Sequence, residues 1–262
     1  MKERLEQGQV VILDGGIGAE LSRRGVEWRY PELWSANGLL LSPDTVRTLH
    51  QDYILAGAEV ITTNTYNTHR VNLERVGIGD RTGELNRLAV HLAQEARDNA
   101  GGDREVLIAG AMAQLHHSRP GDLPSVETAR SVYREQAEAL AEAGVDLFLI
   151  ESLYQVFDAR YGAEAAAATG LPTWVGIRCG SDGKVVSGEN LSELTESLAG
   201  MGVSAILIHH TDVQDSAAAL SDLQQAYSGT TGIYPDTGQF RRPVWDATDA
   251  ISPPNFLEYC RE

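Results

Sequence analysis

The chain has 262 residues, of which 42% are apolar and 22% are charged, a composition typical of a folded globular protein and not of a disordered one. Its aliphatic runs are short pieces such as 10–13 and 147–150, whereas a membrane-spanning helix needs about 18 apolar residues. The formal net charge of −16 argues against a general binding surface for nucleic acid or anionic lipid.

The first nine residues, MKERLEQGQ, are polar and charged and lack the apolar segment of a secretory signal. The two cysteines, Cys179 and Cys260, are too few for a disulfide framework. We therefore expect a cytoplasmic protein.

Seven short aliphatic runs predict β-strands, because they are almost continuously apolar, as in strands that are buried on both faces. They lie at 10–16, 58–66, 105–113, 145–153, 172–179, 204–211 and 230–237. Amphipathic patterns between them predict helices at 43–56, 82–99, 125–143, 190–200 and 215–227. No Pro/Gly/Ser-rich linker interrupts this alternation, so the sequence predicts one parallel α/β domain over residues 1–262.

A weak internal repeat indicates where the active site lies. The segments LAGAEVITTN, LAEAGVDLFLIE and LAGMGVSAILIHH each run from a helix end through a glycine into a strand. The seventh residue after that glycine is Asn64, Glu151 and His209 in turn, at the carboxyl end of each strand. Active sites lie at that end of a (β/α)8 TIM-type barrel, which is the fold we predict, and also of a doubly wound sheet, which is the alternative.

A (β/α)8 barrel needs eight strands, and only seven are identifiable. After the run at 230–237 the sequence continues with a polar loop and the start of a helix at 253–260. We therefore expect either an additional C-terminal segment that supplies the eighth strand, or a barrel that is open or closed by a partner chain, as in a homo-oligomer.

The segment Asp14-Gly15-Gly16-Ile17-Gly18 follows the first predicted strand and leads into a helix. Its glycines allow a ligand to approach the backbone, and N–H groups at a helix start bind carboxylate or phosphate. Its spacing differs from the dinucleotide-binding pattern G-x-G-x-x-G. We take Asp14, Gly15 and Gly16 as candidate substrate-binding residues, with a tight strand-to-helix turn capped by Asp14 as the structural alternative.

Polar residues at the ends of two further strands are candidates as well. Glu151 follows the apolar run LFLI, and a carboxylate at a buried strand end needs a partner, either a ligand cation or a side chain of the barrel rim. Thr63, Asn64 and Tyr66 end the second strand. Strand propensity explains the threonine and core packing explains the tyrosine, whereas Asn64 is harder to explain by packing.

The sixth predicted strand ends in His209-His210. Adjacent strand residues point to opposite faces, so we expect only one of the two to face the site. A metal-ligand role is possible for this pair, whereas His116-His117 is more typical of a solvated loop. Cys179 is more typical of a small buried thiol.

These motifs together resemble the homocysteine S-methyltransferase family. The resemblance rests on Leu13–Leu21, Ala56–Tyr66, Gly83–Asn86, Gly110–Met112, Asp146–Glu151 and Ser187–Glu189, and on the order of residues from Tyr234-Pro235 to Ile251-Ser252-Pro253. It implies a zinc-dependent barrel that moves a methyl group from a sulfonium or betaine-type donor to the thiol of homocysteine or a related thiol or selenol. The partners it implies are therefore small molecules.

The resemblance also implies roles for single residues. Asp14 and Glu151 would hold the amino acid, with Glu151 near its ammonium group. Thr63, Asn64 and Tyr66 would line the pocket. An aromatic ring such as that of Tyr66 could also face the positive charge of the methyl donor, as could that of Trp28.

The sequence departs from the family at the zinc site. The family holds zinc with one cysteine at the end of strand six and a cysteine pair, in a Gly-Gly-Cys-Cys run, at the end of strand eight. Here His210 occupies the strand-six position and the Gly-Gly-Cys-Cys run is absent. The resemblance therefore implies His210 as a zinc ligand, completed by two cysteines from an additional segment. The alternatives are a zinc-free enzyme with His210 as general base, and a non-catalytic amino-acid-binding protein.

Overall fold

The computed structural model describes residues 2–115, 123–241, 244–246 and 251–261. Its centre is a sheet of six parallel strands that are neighbours in chain order. The strands are β1 Val60–Thr62, β2 Leu107–Met112, β3 Leu147–Leu153, β4 Thr173–Ile177, β5 Val203–Asp212 and β6 Thr230–Asp236. A separate antiparallel pair follows, β7 Gln239–Arg241 and β8 Val244–Asp246.

Helices connect the strands, and α4 and α6–α10 cover one face of the sheet. They are α1 Lys2–Glu6, α2 Ile17–Arg23, α3 Asn37–Leu41, α4 Pro43–Ala56, α5 Arg70–Glu74, α6 Thr82–Ala100, α7 Val126–Ala143, α8 Val156–Ala167, α9 Leu191–Leu198, α10 Val213–Ala226 and α11 Pro253–Tyr259, with 3-10 turns at Pro31–Ala36 and Gly79–Arg81. All five predicted helices are confirmed to within two residues at each end. Over the described residues, none of these helices is long and apolar enough to cross a membrane.

The prediction of a strand at 10–16 is wrong. Only Leu13 bridges to Val60 of β1, although the Asp14 N–H also donates to the Val60 carbonyl. The Ile12 N–H donates instead to the Glu59 side chain, and Val10 and Ile12 are 76% and 53% exposed. The Glu59 side chain accepts the Ile12 N–H, and no described strand lies on the outer side of this run. The run therefore pairs with β1 through a single residue and is not a strand.

The count of seven parallel strands is thus corrected to six strands and one bridge in the described part of the chain. The strand order never reverses, so the doubly wound alternative finds no support there.

Apolar side chains alternate between the two faces of the sheet, as the period of two requires. One set packs against the helices and includes Ile61, Ile108, Phe148, Ile150, Val175, Ile177, Ile206 and Ile208. The other set packs together on the opposite, inner face and comprises Val60, Ala109, Leu147, Leu149, Trp174, Ala205 and Leu207, with Leu5 of α1 against it. Inner residues of five strands meet in one cluster because the sheet curls around them.

Candidate active site

The strand alternation that builds the inner cluster also places two of the predicted residues. Leu147 and Leu149 of β3 are inner residues, and Glu151 is the next in the series. Ala205 and Leu207 of β5 are inner residues, and His209 is the next. Glu151 and His209 therefore lie together at the carboxyl ends of their strands, with 3.8 Å between Glu151 Oε2 and His209 Nε2.

His210 does not follow the alternation. Its φ is +53°, a left-handed backbone conformation that non-glycine residues rarely adopt. The pairing of β5 with β6 shifts between His209 and Asp212, which turns the His210 side chain toward its neighbour. The two imidazole centroids lie 4.7 Å apart, so the expectation that only one of the two histidines faces the site is wrong.

Glu151, His209 and His210 form a compact donor group. One ligand atom of each residue lies within 4.8 Å of the others. Two donors bound to the same zinc ion at about 2.1 Å in a tetrahedral arrangement are about 3.4 Å apart, so a small contraction suffices to hold an ion. Two imidazoles and a carboxylate are also donors that divalent transition metals accept. This group fits a metal ion.

The His209 ring is held between two neighbouring strands. On one side it stacks on Tyr234 of β6, with 4.4 Å between centroids and 13° between planes. On the other side is Gly176 of β4, where an added Cβ would lie 2.9 Å from the His209 Cβ, Cγ and Cδ2 atoms. Burial holds the pKa of His209 well below its usual range, so the ring is neutral and can offer a lone pair.

The His210 ring has an acidic partner. Its Nδ1 lies 2.5 Å from Asp236 Oδ1, and the Asp236 side chain is 7% exposed. Arg178 approaches the other Asp236 oxygen at 3.8 Å. Because Nδ1 is bonded to a carboxylate, the tautomer and orientation of the His210 ring are defined, and Nε2 is the nitrogen that remains available.

Asp14 is buried and bonds to β1. The Thr62 N–H donates to Asp14 Oδ2 at 2.7 Å, and the Thr62 hydroxyl donates to Oδ1 at 2.9 Å. Burial, reinforced by the charge of Glu151 and opposed by the two Thr62 bonds, raises the pKa of Asp14 to about 8. Burial likewise raises the pKa of Glu151 to about 7. Burial raises the pKa of Tyr234 well above its usual value, and the charge of Asp14 is the next largest cause of this rise. Asp14 acts on Tyr234 because the curled sheet brings the loop after residue 13 toward β6.

The two adjacent glycines have different surroundings. Gly16 is the N-cap of α2 and has open space at its Cβ position, whereas a Cβ at Gly15 would lie 2.8 Å from the Tyr53 hydroxyl. That hydroxyl donates to the Gly16 carbonyl at 3.3 Å. The alternative interpretation of Asp14 was a cap on a tight strand-to-helix turn. It is wrong in one respect, because Asp14 bonds to Thr62 and does not cap α2.

The residues after β1 separate into different environments. The Thr63 hydroxyl accepts the Ala111 N–H at 3.0 Å and therefore joins β1 to β2. The Asn64 side-chain amide donates to the Ser35 carbonyl at 2.9 Å, and its buried Oδ1 has no hydrogen-bond partner among the described residues. Tyr66 is partly buried, and its hydroxyl accepts from the Gln114 side-chain amide at 3.5 Å. Burial raises the pKa of Tyr66, and the charge of Glu151 contributes to this rise.

The cysteines lie apart from the donor group. Cys179 is buried, and burial raises the pKa of its thiol to about 12, whereas Cys260 is exposed at the end of α11. The His116-His117 pair lies outside the described residues. Sequence reasoning did not identify Asp236 and Tyr234 as site residues, although the alternation along TTGIYPDT places both on one face, the face of His209.

A sequentially ordered parallel sheet with buried acids and imidazoles at the carboxyl ends of its strands defines an α/β enzyme of the barrel-related class. The family model of homocysteine S-methyltransferase matches residues 11–258, and the chain belongs to this family. It is an enzyme of this type.

Similar proteins are spread over plants, animals and bacteria. Selenocysteine Se-methyltransferase of Brassica oleracea var. italica is 28% identical over 99% of this chain and 83% of its own length. Betaine–homocysteine S-methyltransferase 1 of Danio rerio is 29% identical over 79% of this chain and 50% of its own length. The metallated form of the homocysteine methyltransferase MmuM from Escherichia coli superposes with a TM-score of 0.81 and 27% identity, over 90% of this chain and 87% of that chain.

The raised pKa of Asp14 predicts how the stability of the metal-free protein depends on pH. The folded-state pKa is about 8, above the value of about 3.9 in an unfolded chain, so folding favours the protonated acid. Its contribution to the free energy of unfolding is therefore present at low pH and lost as the pH rises toward 8, by at most about 1.36 kcal/mol per pH unit. His50 and His209 have lowered pKa values, so they make the free energy of unfolding rise with pH, but only below about pH 6.5.

Urea unfolding in the presence of chelator between pH 6.5 and 8 checks this prediction. We expect the free energy of unfolding to fall across this range in the wild type. Asp14→Asn should reduce the fall and remove most of it above pH 7, whereas Glu151, whose pKa is about 7, still contributes below that pH. A wild-type stability that rises with pH over this interval would contradict the assignment.

Proposed function

We propose that the protein transfers a methyl group from a sulfonium or betaine-type donor to the thiol or selenol of homocysteine or a related amino acid. The observation that carries the proposal is the pair of carboxyl groups of Asp14, which is buried, and Glu151, whose side chain is 15% exposed. Neither has an Arg or Lys ion-pair partner in the described part of the chain. An amino-acid ammonium group is a cation that such a pair recognises. The relatives named for methyl transfer to selenocysteine and homocysteine support it.

The amino-acid acceptor is bound by residues at the strand ends. The Asp14 and Glu151 carboxylates accept from the ammonium group, and binding of this cation offsets the cost of ionising them. The free Asn64 Oδ1 is a further acceptor, and the open backbone at Gly16 leaves room for the substrate carboxylate. Thr63 joins the strand end to β2 through the Ala111 N–H, and Tyr66 borders the pocket.

Transfer joins two molecules in line. The acceptor sulfur donates an electron pair to the methyl carbon while the carbon–sulfur or carbon–nitrogen bond of the donor breaks, and the donor leaves as a neutral thioether or amine. The enzyme contributes proximity and a desolvated site. The rings of Tyr66 and Trp28 are suited to face the donor cation, and Trp28 packs on Trp34 at 4.1 Å between centroids.

The acceptor must react as a thiolate, since a free thiol has a pKa of about 8.5. The group of Glu151, His209 and His210 fits a metal, for which we propose zinc, with His210 as a ligand. A bound zinc ion supplies this chemistry by deprotonating the thiol. We further propose that residues 1–262 form a single (β/α)8-type domain, and that the protein is cytoplasmic.

The bond between His210 and Asp236 favours one alternative function. An imidazole whose Nδ1 faces a buried carboxylate is the arrangement of a general base, so a zinc-free reaction on the same fold is the second candidate.

A methyl-transfer assay decides between the two functions. The enzyme is incubated with a 13C-methyl sulfonium donor or with 13C-methyl glycine betaine, and with homocysteine or selenocysteine. We expect a labelled thioether or selenoether with at least one donor, and loss of product after zinc chelation with recovery on re-addition. Product formation that survives complete zinc removal would favour the general base, and no product with any of the four pairs would contradict the proposed function.

A further inference from the structure

We propose that Glu151, His209 and His210 hold the metal ion of this protein, as a two-histidine, one-carboxylate set to which Cys179 and Cys260 contribute no ligand and in which Asp236 orients His210. The inference rests on the proposed function and specifies its metal centre. It keeps His210 as a ligand, as the family resemblance implies, and adds Glu151 and His209 from this chain.

His209 is the first observation that points to a ligand. Its side chain is fully buried, and neither ring nitrogen has a hydrogen-bond partner in the described residues. Buried polar groups are normally hydrogen-bonded, so an unsatisfied buried imidazole indicates a partner that binds there. With the ring clamped between Gly176 and Tyr234, its Nε2 is aimed at Glu151, and a cation between the two satisfies both.

His210 is the second observation. Its φ of +53° is a strained, left-handed conformation for a residue other than glycine, and such strain clusters at functional sites. The conformation brings the second imidazole to the same point as Glu151 and His209. Asp236 bonds to Nδ1 and so leaves Nε2 for an ion, which matches the carboxylate–histidine–metal arrangement that orients metal-binding imidazoles.

The cysteines do not belong to this set. Among the described residues, the donor group contains neither Cys179 nor Cys260. The Cys179 backbone N–H donates to the Thr211 hydroxyl within the fold, and Cys260 is exposed on α11. An ion held by Glu151, His209 and His210 would have three protein ligands and would leave a position for the substrate sulfur. Glu151 can serve both ligands, because a carboxylate bound to the ion through one oxygen keeps the other for the ammonium group.

The test measures the metal directly. The 262-residue chain is loaded with Zn²⁺ and, separately, with Co²⁺, dialysed, and analysed for metal content and dissociation constant. We expect about one ion per chain, retained in the double variant Cys179→Ala/Cys260→Ser. Asp236→Asn should weaken binding about 10- to 100-fold, as losses of outer partners do, and His209→Ala and His210→Ala should weaken it more. The matched control is His91→Ala, because His91 is 65% exposed on α6.

Unfolding of an alanine variant does not weaken the test, because His210→Cys provides a positive signal. If His210 is a ligand, Co²⁺ bound to this variant acquires a thiolate-to-cobalt charge-transfer band that the wild type lacks in the absence of substrate. Loss of the ion from the cysteine-free variant, no ion in the wild type, or no new band in folded His210→Cys would each overturn the proposal.

The metal site and the methyl-transfer function can fail separately. Adding homocysteine to the wild-type Co²⁺ protein should produce the thiolate band if the substrate sulfur binds the ion. A protein that binds about one ion through these three residues, but shows no thiolate band and no methyl transfer, would retain the metal site and refute the function. Methyl transfer by a protein that holds its ion through other residues would do the reverse.

Discussion

The Glu151→Gln protein is expected to bind the amino-acid acceptor about 30-fold to 3,000-fold more weakly than the wild type. Truncating one partner of a buried charge pair costs about 2–5 kcal/mol, and each 1.4 kcal/mol is tenfold in affinity. Glutamine keeps the size of the side chain but replaces one acceptor oxygen by a donor, which then faces the substrate ammonium. Titration calorimetry with 2-aminobutyrate, which lacks a thiol, on chelator-treated protein measures this effect without any contribution of the metal.

Two controls separate this contact from general damage. Glu142→Gln changes an exposed acid on α7 and should leave the affinity unchanged. A thiol acid that lacks the amino group should bind wild type and Glu151→Gln alike. Equal affinity of the two proteins for 2-aminobutyrate would remove Glu151 from the ammonium site.

The Gly176→Ala protein is expected to lose about 1–3 kcal/mol of unfolding free energy and to bind the metal more weakly. A Cβ at this position lies 2.9 Å from three side-chain atoms of His209, including its Cβ, so no simple rotation of the imidazole relieves the clash. His209 must move away from Glu151, or β4 must move away from β5. Urea unfolding and a Zn²⁺ titration measure the two effects.

Gly232→Ala is the matched control, because it makes the same change on β6, the strand on the other side of β5. Its added Cβ would lie 3.5 Å from Leu207, an ordinary contact, so stability and metal affinity should stay near those of the wild type. If Gly176→Ala behaves like Gly232→Ala in both measurements, His209 is not confined by the strands as described.

The local pattern of the sequence predicted the elements whose formation depends on that pattern. The predicted helix at 43–56 coincides with α4, and the other four predicted helices agree closely with the structure. Apolar residues at this spacing share one face only in a helix, so the pattern predicts the helix directly. Helix α8 was not predicted, since its alanine-rich sequence has little contrast between its faces. Glu151 was identified because a carboxylate directly after a buried apolar run requires a partner wherever the strand lies.

By itself, the sequence determined the α/β alternation, the helices, and the carboxyl ends of strands as the place of the site, because these follow from residue periodicity. Only the tertiary structure decided that 10–16 pairs through a single residue, because the Glu59 side chain accepts a hydrogen bond from the Ile12 N–H. It also decided that His209 and His210 converge on Glu151 and that Asp236 bonds to His210. Periodicity predicts opposite faces for neighbouring residues, and only the shifted pairing of β5 with β6 turns the second imidazole to the first.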